Sequence, residues 1–261
     1  MFQSLPLAKL NVAEWTDCLS ERPQGGGVPF YGLDEVQKRA ITAALVRLPD
    51  KQPLTELEEI DWRMKSLNCY ACHEHNGVGG AETAREVYFG FESKEAVELG
   101  RWGHLPPELT GVENRLTDQW LEGLLLGEPE VPKARAYMTA RMPRYASERV
   151  RPLLRAIVME REDDVAGKSK THSPESGPVE MPAWLKSDCL SCHGAGNTPS
   201  THLPGIDLQW ADERLQFPYF RSIIHEPQTV RPGIPMAPGL SDDSEAERQI
   251  EGLWQYLETL P

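Results

Sequence analysis

Residues 69–73 read Cys-Tyr-Ala-Cys-His, and residues 189–193 read Cys-Leu-Ser-Cys-His. Both stretches share the pattern Cys-x-x-Cys-His, which gathers two thiols and one imidazole within five residues. From the chain's 5 Cys and 7 His, roughly 0.0025 such patterns are expected by chance. The pattern therefore recurs for a chemical reason, and its two copies decide how the rest of the chain is interpreted.

Two thiols at this spacing can bond to the two vinyl groups on one edge of a haem, while the following His reaches the iron. We therefore predict two covalently bound haem c groups. The predicted attachment and iron-binding residues are Cys69, Cys72 and His73 for the first group, and Cys189, Cys192 and His193 for the second.

Two other uses of paired cysteines fit the sequence less well. A zinc site shared by the four motif cysteines would have to bridge residues 73–188, far more than the 15 to 20 or so of common zinc patterns. A thioredoxin-like redox site predicts alternating strands and helices, which the sequence does not show. The fifth cysteine, Cys18, lies in neither motif, and both a plain buried thiol and a haem ligand from an upstream domain are compatible with it.

Repeated patterns surround the two motifs. A loop marked by proline leads into a helix with apolar periodicity in three places, which start at residues 28, 142 and 236. We expect Ser241, or Ser244 with Glu247, to cap the last of these helices. A second block, 115–121, matches residues 214–220. Repetition on this scale indicates tandem copies of one domain.

These repeats predict an all-α fold with two tandem haem domains of short helices and long loops. The domains are residues 53–160 and 183–261, joined by an exposed linker at 161–182 that is rich in Ser, Pro and charge. Residues 1–50 contain only the end of the repeated pattern. They are therefore predicted to be the helical tail of a partial or degenerate third domain, truncated upstream, with a structural spacer as the alternative.

The position of Met142 and Met236 in the repeat makes them candidates for the sixth iron ligand. Each lies in the proline-marked loop before the closing helix of its domain. A thioether is a common partner of His on a haem iron. Met138 is a second candidate in the first domain, and a ligand exchange could involve either His104 or Met138.

With these residues in hand, the chain resembles a tandem class I c-type cytochrome. The resemblance rests on the haem motif, a Pro-x-Leu segment at 107–109, the Met loop and a closing helix that carries Trp254 and Tyr256. It implies that a proline carbonyl accepts the ring proton of each haem-binding histidine, from Pro107 in the first domain and Pro204 in the second. It also implies haem attachment after export, and hence a periplasmic or otherwise extracytoplasmic location. The start of this segment lacks the features of a signal sequence.

The charge balance limits the class of partner. With 40 acidic against 27 basic residues, the formal charge is -13, which disfavours nucleic acid and anionic membrane surfaces. No stretch is apolar for long enough to predict a membrane span. We expect redox protein partners, with a basic docking face as one option, and the chain to be a subunit or fragment of a larger complex.

The predicted function is electron transfer by a dihaem c-type cytochrome with His/Met-ligated haems, because two capped irons leave no open position for a substrate. Two alternatives stay open. One is a dihaem oxidoreductase, thiosulfate-oxidising or peroxidase-like, with one open or exchangeable haem. The other is the cytochrome module of a larger dehydrogenase. The pattern is more typical of an electron-transfer protein or subunit than of a catalyst.

Overall fold

The computed structural model describes residues 31–47, 54–89, 98–129, 131–132, 135, 138, 140–161, 180–185, 189–203, 205–237, 240–241 and 243–260. The chain divides into two compact units, Met1–Leu54 and Thr55–Pro261. It is mostly helical, as predicted, with a small two-stranded sheet that the all-α prediction lacked. Within the described ranges, no helix is long and apolar enough to cross a membrane.

In the first unit the structure describes α1 (Glu35–Arg47). A reciprocal cap sets its start: the Gln37 N–H donates to Asp34 Oδ1 at 2.8 Å, and the Asp34 N–H donates to Gln37 Oε1 at 3.0 Å. Two backbone donors that the helix leaves unsatisfied are thereby bonded. Most of the predicted partial domain at 1–50, including Cys18, lies outside the described residues.

The second unit opens with α2 (Glu56–Ser66), which Thr55 and Glu58 cap in the same reciprocal way. A 3-10 turn (Cys69–Ala71) follows, and then the antiparallel strands β1 (Glu74–His75) and β2 (Val78–Gly79). Asn76 and Gly77 join the strands, both with positive φ, at 51° and 75°. Positive φ at both positions is what a two-residue hairpin turn requires.

The remaining elements described in the N-terminal half, which we define as residues 55–161, are helices. It comprises a 3-10 helix (Thr83–Tyr88), α3 (Gly100–His104), α4 (Val112–Arg115), α5 (Asp118–Leu126) and α6 (Ser147–Met159). Its apolar core is formed mainly by α2, α5 and α6. The main buried side chains are Ile60, Met64, Leu121, Val150, Leu153, Leu154 and Ile157.

The C-terminal half, residues 180–260, has a core of its own. It comprises a 3-10 helix (Leu208–Trp210), α7 (Ala211–Arg214), α8 (Phe217–His225), α9 (Pro227–Val230) and α10 (Ser244–Leu257). Trp254 packs edge-on against Phe217 and Phe220, with ring centroids 5.3 and 4.8 Å apart. Contacts of this geometry add to the stabilisation that burial of the rings provides.

The cap of α10 differs from the prediction. Asp243, and neither Ser241 nor Ser244, accepts the N–H groups of Glu245 and Ala246, both at 2.9 Å. Ser241 instead donates to the Asp243 carboxylate at 2.6 Å. Asp243 is the last residue before the helix and has the extended conformation of a capping residue, which Ser241 precedes by two positions.

The closing helices α6 and α10 bury the same pattern of positions. The buried residues are Val150, Leu153, Leu154, Ala156 and Ile157 in α6, and Ile250, Leu253, Trp254, Tyr256 and Leu257 in α10, with Ala246 one turn earlier. The repeat detected in the sequence is therefore also a repeat of core-facing positions. Whether 53–160 and 183–261 are separate domains stays a prediction, because both halves lie in one compact unit.

The repeated blocks 115–121 and 214–220 meet each other where the two halves join. Leu116 and Leu215 form an antiparallel bridge. The Leu116 side chain packs against both apolar cores. The seam between the halves is therefore partly apolar.

Backbone hydrogen bonds across this seam are reciprocal. The Thr117 N–H donates to the Arg214 carbonyl, and the Gln216 N–H donates to the Arg115 carbonyl, both at 3.0 Å. The Gln216 side chain adds a bond to the Glu113 carbonyl at 2.7 Å. Because equivalent residues exchange equivalent bonds, the two repeated blocks are related by a local twofold axis at the seam.

Candidate functional site

The first Cys-x-x-Cys-His motif lies on a tight turn directly after α2. Asn68, with φ at 59°, turns the chain out of the helix. The N–H groups of Cys72 and His73 then donate to the Cys69 carbonyl at 3.1 and 2.9 Å. Both cysteines are free and half-buried, and burial raises the pKa of the Cys69 thiol. One turn thus presents two unpaired thiols and one imidazole.

The His73 ring is held by a single backbone contact. Its Nδ1 lies 2.7 Å from the Pro107 carbonyl oxygen. Because a carbonyl only accepts, Nδ1 carries the proton and Nε2 presents a lone pair. Burial, more than the nearby charges of Arg115 and Arg135, lowers the pKa of His73 and favours the neutral ring. The contact is the one that the resemblance implies for Pro107, whose role in haem binding stays a prediction.

The second motif repeats this construction with a different partner. The N–H groups of Cys192 and His193 donate to the Cys189 carbonyl at 3.0 and 2.8 Å. His193 Nδ1 lies 2.7 Å from the carbonyl oxygen of Ile206, and burial lowers the pKa of this histidine as well. The acceptor is therefore Ile206 in place of the expected Pro204, which lies outside the described residues.

Gly205 explains why the Ile206 carbonyl reaches the histidine. The Gly205 N–H donates to the Cys192 carbonyl at 2.6 Å. A Cβ at position 205 would lie 2.2 Å from that same oxygen, a distance at which real atoms overlap. Only a residue without a side chain lets the backbone pass this close to the motif.

The methionines proposed as iron ligands lie in the predicted loops. Met142 is partly buried and packs against the core of the N-terminal half. Met236 lies between α9 and α10, and the Gln228 side chain donates to its carbonyl at 3.4 Å. The sulfur of Met138 lies 3.9 Å from a guanidinium nitrogen of Arg135. The choice of sixth ligand at either histidine stays a prediction.

The other histidines that the structure describes do not form a metal-binding cluster. His104 Nδ1 lies 3.0 Å from the Gly100 carbonyl, His202 lies 3.5 Å from Glu98, and His225 lies 3.0 Å from Glu247. Among the residues that the structure describes, no three His, Cys, Asp or Glu side chains are grouped as metal ligands. The four motif cysteines are among the described residues and are not grouped in this way.

Sequence reasoning missed two buried arginines at the seam. Arg115 is only 8% exposed and donates to the Glu108 carbonyl at 2.9 Å. Arg214 is half-buried, and its buried Nε has no hydrogen-bond partner among the described residues. The equivalent places of the two arginines in the repeated blocks were the signal that could have revealed them.

Both arginines stay charged at neutral pH. Burial, and then the charge of Arg231, lowers the pKa of Arg115 to about 10. Burial, and then the charge of Arg115, lowers the pKa of Arg214 to about 10. Among the described residues neither guanidinium forms an ion pair, although the Tyr219 side chain bonds to Arg115 and the charge of Glu108 acts on it. Arg214 has no such carboxylate near it in the part of the chain that is described. A buried charge that is not fully compensated is unfavourable, so this site is suited to an anion.

These residues fit a haem at each motif on three counts. Each motif offers two thiols on one turn that form no disulfide. Each histidine offers a neutral ring whose Nε2 is free to bind iron. Arg115 and Arg214, which form no ion pair among the described residues, suit the carboxylates that a haem carries. Comparison of the chain with protein-family models, curated proteins and solved structures finds no match.

Proposed function

We propose that this chain is a tandem dihaem c-type cytochrome that transfers electrons between redox partners. The observation that carries the proposal is the matched state of the two motif histidines. In each, Nδ1 donates to a backbone carbonyl 2.7 Å away, and Nε2 is left to bind a metal. Two sites of one construction suit a protein that accepts an electron at one centre and releases it at another.

The chain's own residues would attach, orient and tune each haem. Bound haem supplies one-electron oxidation and reduction of its iron. The paired cysteines would hold the group by thioether bonds. The carbonyls of Pro107 and Ile206 would fix the plane of each imidazole and make the Nε2 lone pair a stronger ligand for iron. Met142 and Met236 would fill the sixth positions and leave none open for a substrate.

The proposal extends to partners and location. Covalent haem attachment of this kind follows export in the family that the chain resembles, so we place the protein in the periplasm or another extracytoplasmic compartment. The formal charge of -13 suits docking to a redox protein with a basic face. The same properties fit the cytochrome module of a larger dehydrogenase.

One observation favours a second candidate function, a dihaem oxidoreductase with an exchangeable ligand. Arg135 donates to the Leu105 carbonyl at 2.6 Å, contacts the Met138 sulfur, and is close enough to His73 for its charge to act on that ring. Met138 is therefore near the first haem motif, and two methionines could alternate there. Redox titration of Met138→Ala and Met142→Ala separates the two functions, because in a pure carrier only Met142→Ala lowers the potential of one haem.

The test of the proposed function is a count of covalently bound haem. The chain is expressed with an export signal in cells that have the haem-attachment machinery, and its mass and pyridine haemochrome spectrum are measured. We expect two haems per chain, and one in each of the double variants Cys69→Ser/Cys72→Ser and Cys189→Ser/Cys192→Ser. Cys18→Ser is the matched control and keeps two. A mass equal to that of the polypeptide alone contradicts the proposal.

A further inference from the structure

The twofold seam brings one arginine from each half to the same place. The carbonyls of Arg115 and Arg214 accept the two reciprocal bonds that join the halves. Their side chains therefore start from adjacent points on either side of the axis. Tyr219, in α8, lies near both guanidinium groups, and the charge of Arg115 acts on Arg214. The two side chains thus occupy one shared environment.

This shared environment holds less negative charge than its cations need. An arginine side chain offers five N–H donors. Arg115 bonds to the Glu108 carbonyl and to the Tyr219 side chain, and the charge of Glu108 acts on it. No carboxylate acts on Arg214 in the described part of the chain, and its Nε has no partner there. The chain has 40 carboxylate residues against 27 basic ones, so acidic partners are abundant elsewhere. A bound group would supply the negative charge that these two arginines still need.

The seam also lies beside both haem motifs. The charge of Arg115 acts on His73, and the charge of Arg214 acts on His193. A haem attached at either motif would therefore extend close to one of these arginines. Each haem carries two carboxylates, and the planar fork of a guanidinium matches a carboxylate with two parallel hydrogen bonds.

We infer that Arg115 and Arg214 form a single anion-binding site, shared by the two halves at the twofold seam, that binds the carboxylates of both haems. The inference rests on the proposed function. Because the site is shared, its charges act on both centres at once. Removing one of the two cations makes the oxidised, more positive state of each nearby iron easier to reach, and so lowers both reduction potentials.

The experiment is a redox titration of the dihaem protein with Arg115→Gln and Arg214→Gln. We expect each single variant to lower the potentials of both haems. The expected size is about a tenfold change in the ratio of oxidised to reduced haem at a fixed applied potential, or about 59 mV for one electron. The Lys variants, Arg115→Lys and Arg214→Lys, retain the charge, so their potentials should stay close to those of the unsubstituted protein. Arg155→Gln, on the exposed face of α6, is the matched control and should leave both potentials unchanged.

Three outcomes overturn the inference. Potentials of Arg115→Gln and Arg214→Gln equal to those of Arg155→Gln would show that no haem carboxylate is bound there. A shift confined to one haem per variant would show two separate sites. The reduction potentials of the unsubstituted protein could instead change with phosphate concentration at constant ionic strength, while those of Arg115→Gln do not. That result would assign the site to a free anion. A chain without covalent haem by mass would instead contradict the proposed function, so the two failures are distinguishable.

Discussion

The N-terminal and C-terminal halves build the same histidine environment from different loops. In the N-terminal half the acceptor carbonyl belongs to Pro107, which is reached through a 3-10 helix and α3. In the C-terminal half it belongs to Ile206, reached by a much shorter path that doubles back over the motif. The distance from Nδ1 to oxygen is 2.7 Å in both. What recurs is the position of a carbonyl oxygen, and neither the residue type nor the loop length is retained.

The closing helices show the opposite behaviour. Each of the five buried positions of α6 has a buried counterpart in α10. A helix that packs on a core must keep its apolar period, because a shifted side chain would leave the packed face. A backbone acceptor has no such requirement, since every residue carries one. Packing on a core therefore fixes which positions of a closing helix are apolar, whereas each motif histidine needs only a carbonyl oxygen at the right place.

The largest effect that tests this comparison is expected from a matched pair of core truncations. Leu153 and Leu253 are the same residue at equivalent positions, 3% and 2% exposed. We expect Leu153→Ala and Leu253→Ala each to cost about 2–5 kcal/mol of unfolding free energy, from lost burial and the cavity left behind. Denaturant unfolding of the purified protein measures this value.

The same pair tests how strongly the seam couples the halves. Leu116 packs on both cores and the backbone bonds across the seam are reciprocal, so we expect a single unfolding transition that both variants lower alike. The exposed substitution Arg155→Gln serves as the control. Two transitions, of which each variant moves only one, would show that the halves fold independently.

A smaller and more local effect is expected at Gly205. Alanine there would bring a Cβ within 2.2 Å of the Cys192 carbonyl and 3.1 Å of His193 Nδ1. The backbone must shift, at a cost of about 1–3 kcal/mol, and the bond from His193 to Ile206 should weaken. We expect Gly205→Ala to reduce haem attachment at the second motif and leave the first intact, as measured by peptide mass after digestion.

Gly252 provides the control for this substitution. It lies in the middle of α10, and a Cβ there would meet no atom within 4 Å. Gly252→Ala should be neutral or mildly stabilising, because alanine is the better helix former. Equal haem attachment at the second motif in Gly205→Ala and Gly252→Ala would show that the close approach of the backbone does not require glycine at position 205.

The difference between the halves also explains which features could be predicted from the sequence. The helices followed from apolar periodicity, and α1, α6 and α10 lie where the three repeats place them. The hairpin between β1 and β2 was missed although its Asn76-Gly77 turn is a strong signal, because strands of two residues have no period to detect. The contact of His73 with Pro107 followed from a family resemblance.

The contact of His193 with Ile206 could not be predicted, because a carbonyl acceptor has no signature in the sequence. The seam was partly visible as the repeated blocks 115–121 and 214–220, but pairing between distant segments depends on how the whole chain packs. The guanidinium groups of Arg115 and Arg214 lie close together because of that pairing, so their shared environment could not be predicted either. The prediction of tandem domains, by contrast, needed only the repeat.

The smallest expected effect concerns the starts of the closing helices, where the halves differ again. Ala146 precedes α6 and provides no side-chain cap, whereas Asp243 caps α10. The Ser241 hydroxyl, and then the N–H groups of Ala246 and Glu245, hold the pKa of Asp243 below its usual value. A carboxylate with a lowered pKa in the folded state stabilises the fold above its unfolded pKa of about 3.9. That contribution is lost as the pH falls through the lower, folded value. We therefore expect Asp243→Ala to be less stable than the unsubstituted protein at pH 7, by less than Gly205→Ala, with a difference that shrinks on acidification below about pH 4.

Asp243→Asn retains an acceptor for the helix N–H groups without a titrating charge, so its stability relative to Asp243→Ala should not depend on pH. Denaturant unfolding at pH 7 and pH 3 decides the matter, and a deficit of Asp243→Ala that is unchanged at the lower pH would mean that the charge of Asp243 does not stabilise α10.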